Sequence, residues 1–316
     1  MAAVTGPGYG YPPPGGSGPR RRWLPVVVGV WGVVLLAAVF WSVRNDPPTV
    51  PEQRTAGQAV AVLRAASGAV VEAAQDERWV LSLGVLRVEE CSITPVWDGQ
   101  EASREVTLYV PDGDARTALD TVADRLPAGY RAGVIGARGG TRLSFFADAG
   151  ENVGVESEAN SADQVLSLRI FTGCRPASAD LDRGDPAAGT APPTLDAVVA
   201  EITATGTGSP SATPGLNGSP SATPAPGGNP SAAPAPGGSS VETLAVACPG
   251  GGTASTFVRD AGPAGVDDGP RGVPEGTVPV WADAGGWAYR MGSESVVVTV
   301  EQQRYRVRVT TACRAG

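Results

Sequence analysis

Hydrophobic positions along this chain follow three rules in turn: an unbroken run, a helical stripe and a strand alternation. Trp23 to Val43 (WLPVVVGVWGVVLLAAVFWSV) is 21 positions without a charge. At about 1.5 Å rise per residue this run spans roughly 30 Å, the thickness of a bilayer's hydrocarbon core. Residues 55–75 then place Val60, Leu63, Ser67, Val70 and Ala74 on one face at helical spacing. Trp79 to Val88 reads as a strand ending near Cys91, and Glu105 to Val110 as another. Asp112 or Asp114 is placed to cap a helix with the stripe Ala115, Ala118, Leu119, Val122 and Leu126, which Pro127 stops. Strands are expected at about 130–136, 142–147, 152–156 and 165–171, with Cys174 closing the unit.

A shorter series follows. Residues 194–202 read as a helix, 241–248 as a strand, Pro249 to Pro274 as a Gly/Pro-rich loop, and 277–282, 287–291, 295–300 and 304–311 as strands leading to Cys313. The two series end alike, in LRIFTGCR (168–175) and VRVTTACR (307–314). Gly139-Gly140 and Gly285-Gly286 each precede a strand, and Arg169 and Arg308 each stand five residues before the closing Cys. These matches predict a duplicated α+β module, each copy pinned by its own bridge, Cys91–Cys174 and Cys248–Cys313. Against this, short matches arise by chance in a chain so rich in Ala, Gly, Val and Arg, and the Gly-Gly-to-Cys spacings differ.

The expected fold class is α+β: one N-terminal transmembrane helix, then two small, disulfide-pinned antiparallel modules. The chain divides into a Pro/Gly-rich tail (1–22), the span (23–43), a spacer (44–54), a first α+β module (55–176), a connector with a short helix (177–205), a Pro/Ser/Ala/Thr-rich linker or insertion (206–239) and a mainly β second module (240–316). The linker repeats GSPSATP and PAPGG, a composition that stays extended and cannot build a core. The tail, with YGYPPPGGSG, is equally unable to fold alone.

Charge orients the span. Arg20, Arg21 and Arg22 precede it, and only Arg44 follows, so the positive-inside rule puts the N-terminus in the cytoplasm and everything after residue 43 outside. A cleaved signal peptide is the competing reading. Against it, Phe40, Trp41 and Val43 crowd the place of a small-x-small cleavage site. The partner expected of residues 23–43 is membrane lipid, in a bacterial plasma membrane crossed once.

Composition narrows the chemistry. The net charge is −8; residues 1–50 carry +3, leaving the remainder at −11. An acidic body repels nucleic acid, which is excluded as a partner. All 24 basic residues are Arg, and the chain contains no His, so histidine-based catalysis and histidine metal sites are absent. The four Cys form no C-x-x-C pair; no metal and no cofactor are expected. Glu89-Glu90, on a strand, point to opposite faces and cannot converge. Asp112-Gly-Asp114 reads as a turn and cap, Asp267-Asp268 as a solvated loop, and GARGGTR (136–142) and CPGGG (248–252) as turns. In RYRVRV, Arg304, Arg306 and Arg308 line one face of a strand: three guanidiniums that suit an anionic envelope polymer or a partner's carboxylates, or else pair with the chain's own acids.

The Pro/Gly/Tyr tail, single span and Pro/Ser/Thr spacer resemble, in style, the anchored envelope proteins of high-GC Gram-positive bacteria; that resemblance implies no activity. The expected function is a non-enzymatic binding or structural module of the cell envelope, contacting a wall polymer or a protein partner. The alternative is an envelope hydrolase built on a pair of carboxylates. Sequence leaves the oligomeric state open.

Overall fold

The computed structural model describes residues 23–45, 55–137, 139, 141–179, 181–206, 240–265 and 269–313. The expectations for the tail, most of the spacer and the linker lie outside these residues, as do those for Gly140, Asp267-Asp268 and Arg314. Residues 1–49 and 50–316 form separate compact units. In the first, α1 (Leu24–Asn45) is a single apolar helix whose stretch Pro25–Ser42 has a mean hydropathy of 2.1 and no buried residue.

The second unit is mixed α+β, with two antiparallel sheets and two disulfides. It opens with α2 (Ala56–Ala74), β1 (Val80–Leu83), β2 (Arg87–Thr94) and β3 (Trp97–Tyr109). The single strand expected over 79–88 is thus two, broken at Gly84. There the backbone turns so close to Glu105 that an added Cβ would press on its carbonyl. β3 is more than twice the length expected, because its N-terminal half forms a hairpin with β2 that the Gly-containing sequence WDGQEAS does not advertise. Next come α3 (Ala115–Arg125), β4 (Gly133–Gly136), β5 (Arg142–Asp148), β6 (Gly154–Asn160), β7 (Val165–Phe171) and the two-residue β8 (Arg175–Pro176). Asp114 occupies the N-cap of α3, but its side chain makes no capping hydrogen bond. The first sheet runs β1-β3-β7-β6-β5-β4, with β2 and β8 also on β3.

The second sheet is preceded by α4 (Pro193–Gly206) and holds β9 (Glu242–Ala247), β10 (Thr253–Pro263), β11 (Trp281–Asp283), β12 (Gly286–Met291), β13 (Glu294–Glu301) and β14 (Arg304–Thr310), in the order β11-β12-β13-β14-β10-β9. β10 corrects the loop expected over 249–274. TASTFVRD is rich in residues that suit a pleated surface, and the flanking Gly and Pro belong to its turns. CPGGG is the tight turn of the β9–β10 hairpin, with Gly251 and Gly252 at positive φ.

The order of elements in the two sheets corresponds. In each, a helix (α2, α4) packs on a long strand (β3, β10) that forms a hairpin with the strand before it (β2, β9). A four-stranded meander follows (β4–β7, β11–β14), and its last strand returns beside the long one. Cys91 in β2 bridges to Cys174 just after β7, and Cys248 just after β9 bridges to Cys313 just after β14. The first series adds β1 and α3, whereas no helix stands between β10 and β11 among the described residues.

The two sheets are not independent. One core joins the inner face of the first sheet, α2 and α3 to Leu244, Val246, Cys248, Ala254 and Val258 of the second. Helix α2 is therefore buried on two sides, six consecutive residues from Ala66 to Val71 included. That explains a helix so rich in Ala and Gly and so poor in charge. Gly68 lies against β9, where an added Cβ would fall on the carbonyl of Ala247. On its other face the second sheet packs Phe257, Trp287, Tyr289, Val298, Tyr305 and Val307 under α4. A small third cluster seals the join: Val80 and Tyr109 meet Trp281, Ala288 and Val297, with the Tyr109 and Trp281 rings 5.0 Å apart.

Strand edges are capped across this join. The N–H groups of Leu81 and Leu83, on edge strand β1, donate to the hydroxyls of Ser295 and Thr256, each at 3.2 Å. On edge strand β9, Asp185 of the connector accepts from the N–H of Ala245 at 2.9 Å, and buried Arg104 donates to its carbonyl at 3.1 Å. Arg104 and Asp185 also pair with each other, so the ion pair stands where a neighbouring strand would be.

Candidate functional site

β14 alternates as its sequence requires: Tyr305, Val307 and Val309 are buried, while Arg304, Arg306 and Arg308 take the opposite face. Each guanidinium already has a carboxylate. Arg304 grips Asp260 through two bonds of 2.6 Å. Arg306 reaches Glu242 at 3.1 Å, and its Nε lies 3.8 Å from Glu301 without a hydrogen bond. Arg308 binds Glu301 and the Thr299 hydroxyl, both at 2.7 Å. The Arg304 bonds hold the Asp260 carboxyl below its ordinary range. Burial would raise Glu301, but the bonds from Arg308 and Thr299 and the charge of Arg308 leave it lowered. Within the chain, each of the three arginines is thus paired with a carboxylate.

Placement matters more than the row itself. Arg306 and Arg308 face the first module, where they form one wall of a cavity of ≈ 280 Å³ with Glu242, Thr299 and Glu301. The opposite wall comes from the outer face of the first sheet, with Glu105, Thr107 and Tyr109. Burial raises the Tyr109 phenol, and nearby Arg308 pulls against that. A second cavity of ≈ 240 Å³ adjoins, lined by Ser103, Ser167 and Arg169. Gly84, Val85, Arg87 and Glu105 line both, so the two cavities adjoin at the β1–β2 connection and are together called the trough. Arg169 stacks on Phe171 with its guanidinium carbon 4.8 Å from the ring centre, and it pairs with Glu101 and with Glu156, the latter at 3.0 Å. Arg87 is exposed, and its side chain has no hydrogen-bond or ion-pair partner among the described residues.

The remaining candidates disperse. Glu89 and Glu90 are both exposed and lie opposite Glu101 and Gln100 across the β2–β3 hairpin. Asp112 and Asp114 flank a turn in which Gly113 has φ +80°. After β4, the N–H of Ala137 donates to the carbonyl of Arg142 at the start of β5. Among the described residues, no three acids or Cys converge as a metal site. Sequence reasoning missed Arg87, Glu105, Glu242 and Glu301, the residues that give the trough its character. Each sits at an unremarkable polar position of a strand, and only the join between the modules brings them together.

No protein-family model matches this chain, and no curated protein matches it. Among solved structures, a DUF4853 family protein from Actinomyces odontolyticus ATCC 17982 is similar over 44% of this chain and 80% of that one, at 18% identity and a TM-score of 0.32. A likeness that weak carries no argument about this chain.

Proposed function

We propose that this is a single-pass membrane protein of a bacterial envelope, with its N-terminus cytoplasmic and a duplicated, disulfide-pinned α+β region outside. In this reading α1 is retained as the anchor, and the outer region is a non-enzymatic binding or structural module. The trough between its two halves is the surface that meets a wall polymer or a protein partner. The observation that carries the reading is the pairing of two disulfides with a polar, open trough that both modules build. Such bridges persist in an oxidising compartment. The corresponding order of elements supports duplication, because a helix, a hairpin, a returning meander and a bridge recur at equivalent places.

The competing reading, a carboxylate hydrolase, needs one acid held protonated near neutral pH. The carboxyls of Asp76, Asp182 and Asp260 are instead displaced downward, foremost by arginine bonds, Glu158 foremost by the Ser144 hydroxyl and then Arg142, and Glu301 by Arg308 and Thr299 against its burial, a pattern that favours binding over proton transfer. The test is non-reducing peptide mapping of the full-length protein taken from its own membranes. Peptides joined as Cys91–Cys174 and Cys248–Cys313 are expected. Free thiols in freshly alkylated material would sink the outside location, and with it the functional reading.

A further inference from the structure

The chemistry of the trough limits what fits it. Its walls interleave hydrogen-bond donors, the guanidiniums of Arg169, Arg306 and Arg308, with obligatory acceptors, the carboxylates of Glu105, Glu242 and Glu301. Hydroxyls of Ser103, Thr107, Ser167 and Thr299 lie between them. A densely charged polyanion would gain from the arginines but would be repelled by three carboxylates. An acyl chain would leave the charged walls desolvated without partners. Sugar hydroxyls donate and accept at once, so a glycan satisfies both kinds of wall along its length. Two adjoining cavities of ≈ 280 and ≈ 240 Å³, with Arg87 lining both, suit a run of linked sugars better than a single small molecule.

Arg87 adds one specific demand. Every other arginine of the trough is committed to a carboxylate or, for Arg104, buried against Asp185. Arg87 lines both cavities, and its side chain has no partner among the described residues. A guanidinium so placed is matched by a single carboxylate on the ligand, held by a charge-assisted bond. We propose that the trough binds a hydroxyl-rich, sparsely charged glycan and that Arg87 receives a carboxylate substituent of one sugar. This names the ligand class for the binding-module reading above and rests on it.

The test uses the full-length protein in detergent micelles and three probes: a tetrasaccharide alternating N-acetylglucosamine with N-acetylmuramic acid, neutral chitotetraose, and inorganic polyphosphate. Calorimetric titration should show the acidic tetrasaccharide binding about tenfold more tightly than chitotetraose, the scale of one charge-assisted contact. Polyphosphate should not compete. Arg87→Ala should bring the acidic sugar down to the chitotetraose level with an unchanged melting temperature, and Arg87→Lys should recover part of the difference. Acidic-sugar binding that Arg87→Ala leaves untouched would overturn the assignment to the trough while leaving the binding-module reading standing. Tighter binding of polyphosphate, or no binding of either sugar by protein whose two bridges are intact, would overturn the glycan assignment itself.

Discussion

Gly68 is the residue at which helix α2 meets strand β9 most closely. It sits mid-helix, where glycine is costly, and is kept because α2 lies directly on the backbone of β9. Gly68→Ala should therefore destabilise the protein by about 1–3 kcal/mol, as overpacking does, despite the better helix propensity of Ala. Gly129→Ala, where an added Cβ meets nothing, is the control and should be near neutral in the same denaturant titration. Asp76 is a second residue at the join. Hydrogen bonds from Arg78, and further from Arg125, hold its carboxyl well below the ordinary range, and Arg290 of the second module donates to its main-chain carbonyl at 3.0 Å. Asp76, Asp260 and Glu301 all have folded pKa values below their unfolded ones. Their contribution is thus complete above the unfolded carboxylate range, about pH 4, and is lost as pH falls toward the depressed values. Thermal melts should be flat from pH 7 to about pH 5 and drop steeply below pH 4, and Asp76→Asn should flatten part of that drop. None of this shows in the sequence: Gly68 looks like an ordinary small residue, and Asp76 like an ordinary polar one after a helix.

Elements read well where one face is wet and one dry. The alternation in β7 and β14 and the stripe of α3 are written plainly, because each buries a single face against a single neighbour. Legibility fails where an element depends on partners distant in sequence. β10 hides between Gly/Pro turns, the N-terminal half of β3 is held by β2 and β8, and α2 presents one stripe on paper but is buried on two sides. The capping of β9 is invisible for the same reason, since Arg104, Asp185 and Ala245 come from three separate stretches. It makes a sharp prediction. Asp185→Ala leaves the Arg104 guanidinium buried without its charge partner, which should cost about 3–5 kcal/mol. Arg104→Leu combined with Asp185→Ala should cost clearly less, since no charge is left stranded. Hydrogen exchange at the Ala245 amide should quicken in both.

At the scale of the molecule, the sequence conveys the long apolar run, the α+β character and the two chain segments that each bridge closes. It does not convey that the two modules share a core, because the residues that make it, from Val60 and Leu63 to Leu244 and Val246, look like the private interior of separate units. The trough follows from that join and is illegible with it. The bridges close loops of 83 and 65 residues, so replacing either Cys pair by Ser should lower stability by about 4 kcal/mol in the chain-entropy model. Because the two sheets share a core, the loss should appear as a single shifted transition in calorimetry. In the reading proposed above, a retained helix holds this one folded unit outside the cell. Protease shaving of intact cells, followed by carbonate extraction of the membranes, tests it directly. The uncleaved protein should stay with the extracted membrane, and shaving should leave only a short fragment carrying the N-terminus and α1. A mature soluble form beginning beyond residue 43, or a chain untouched by external protease, would contradict it.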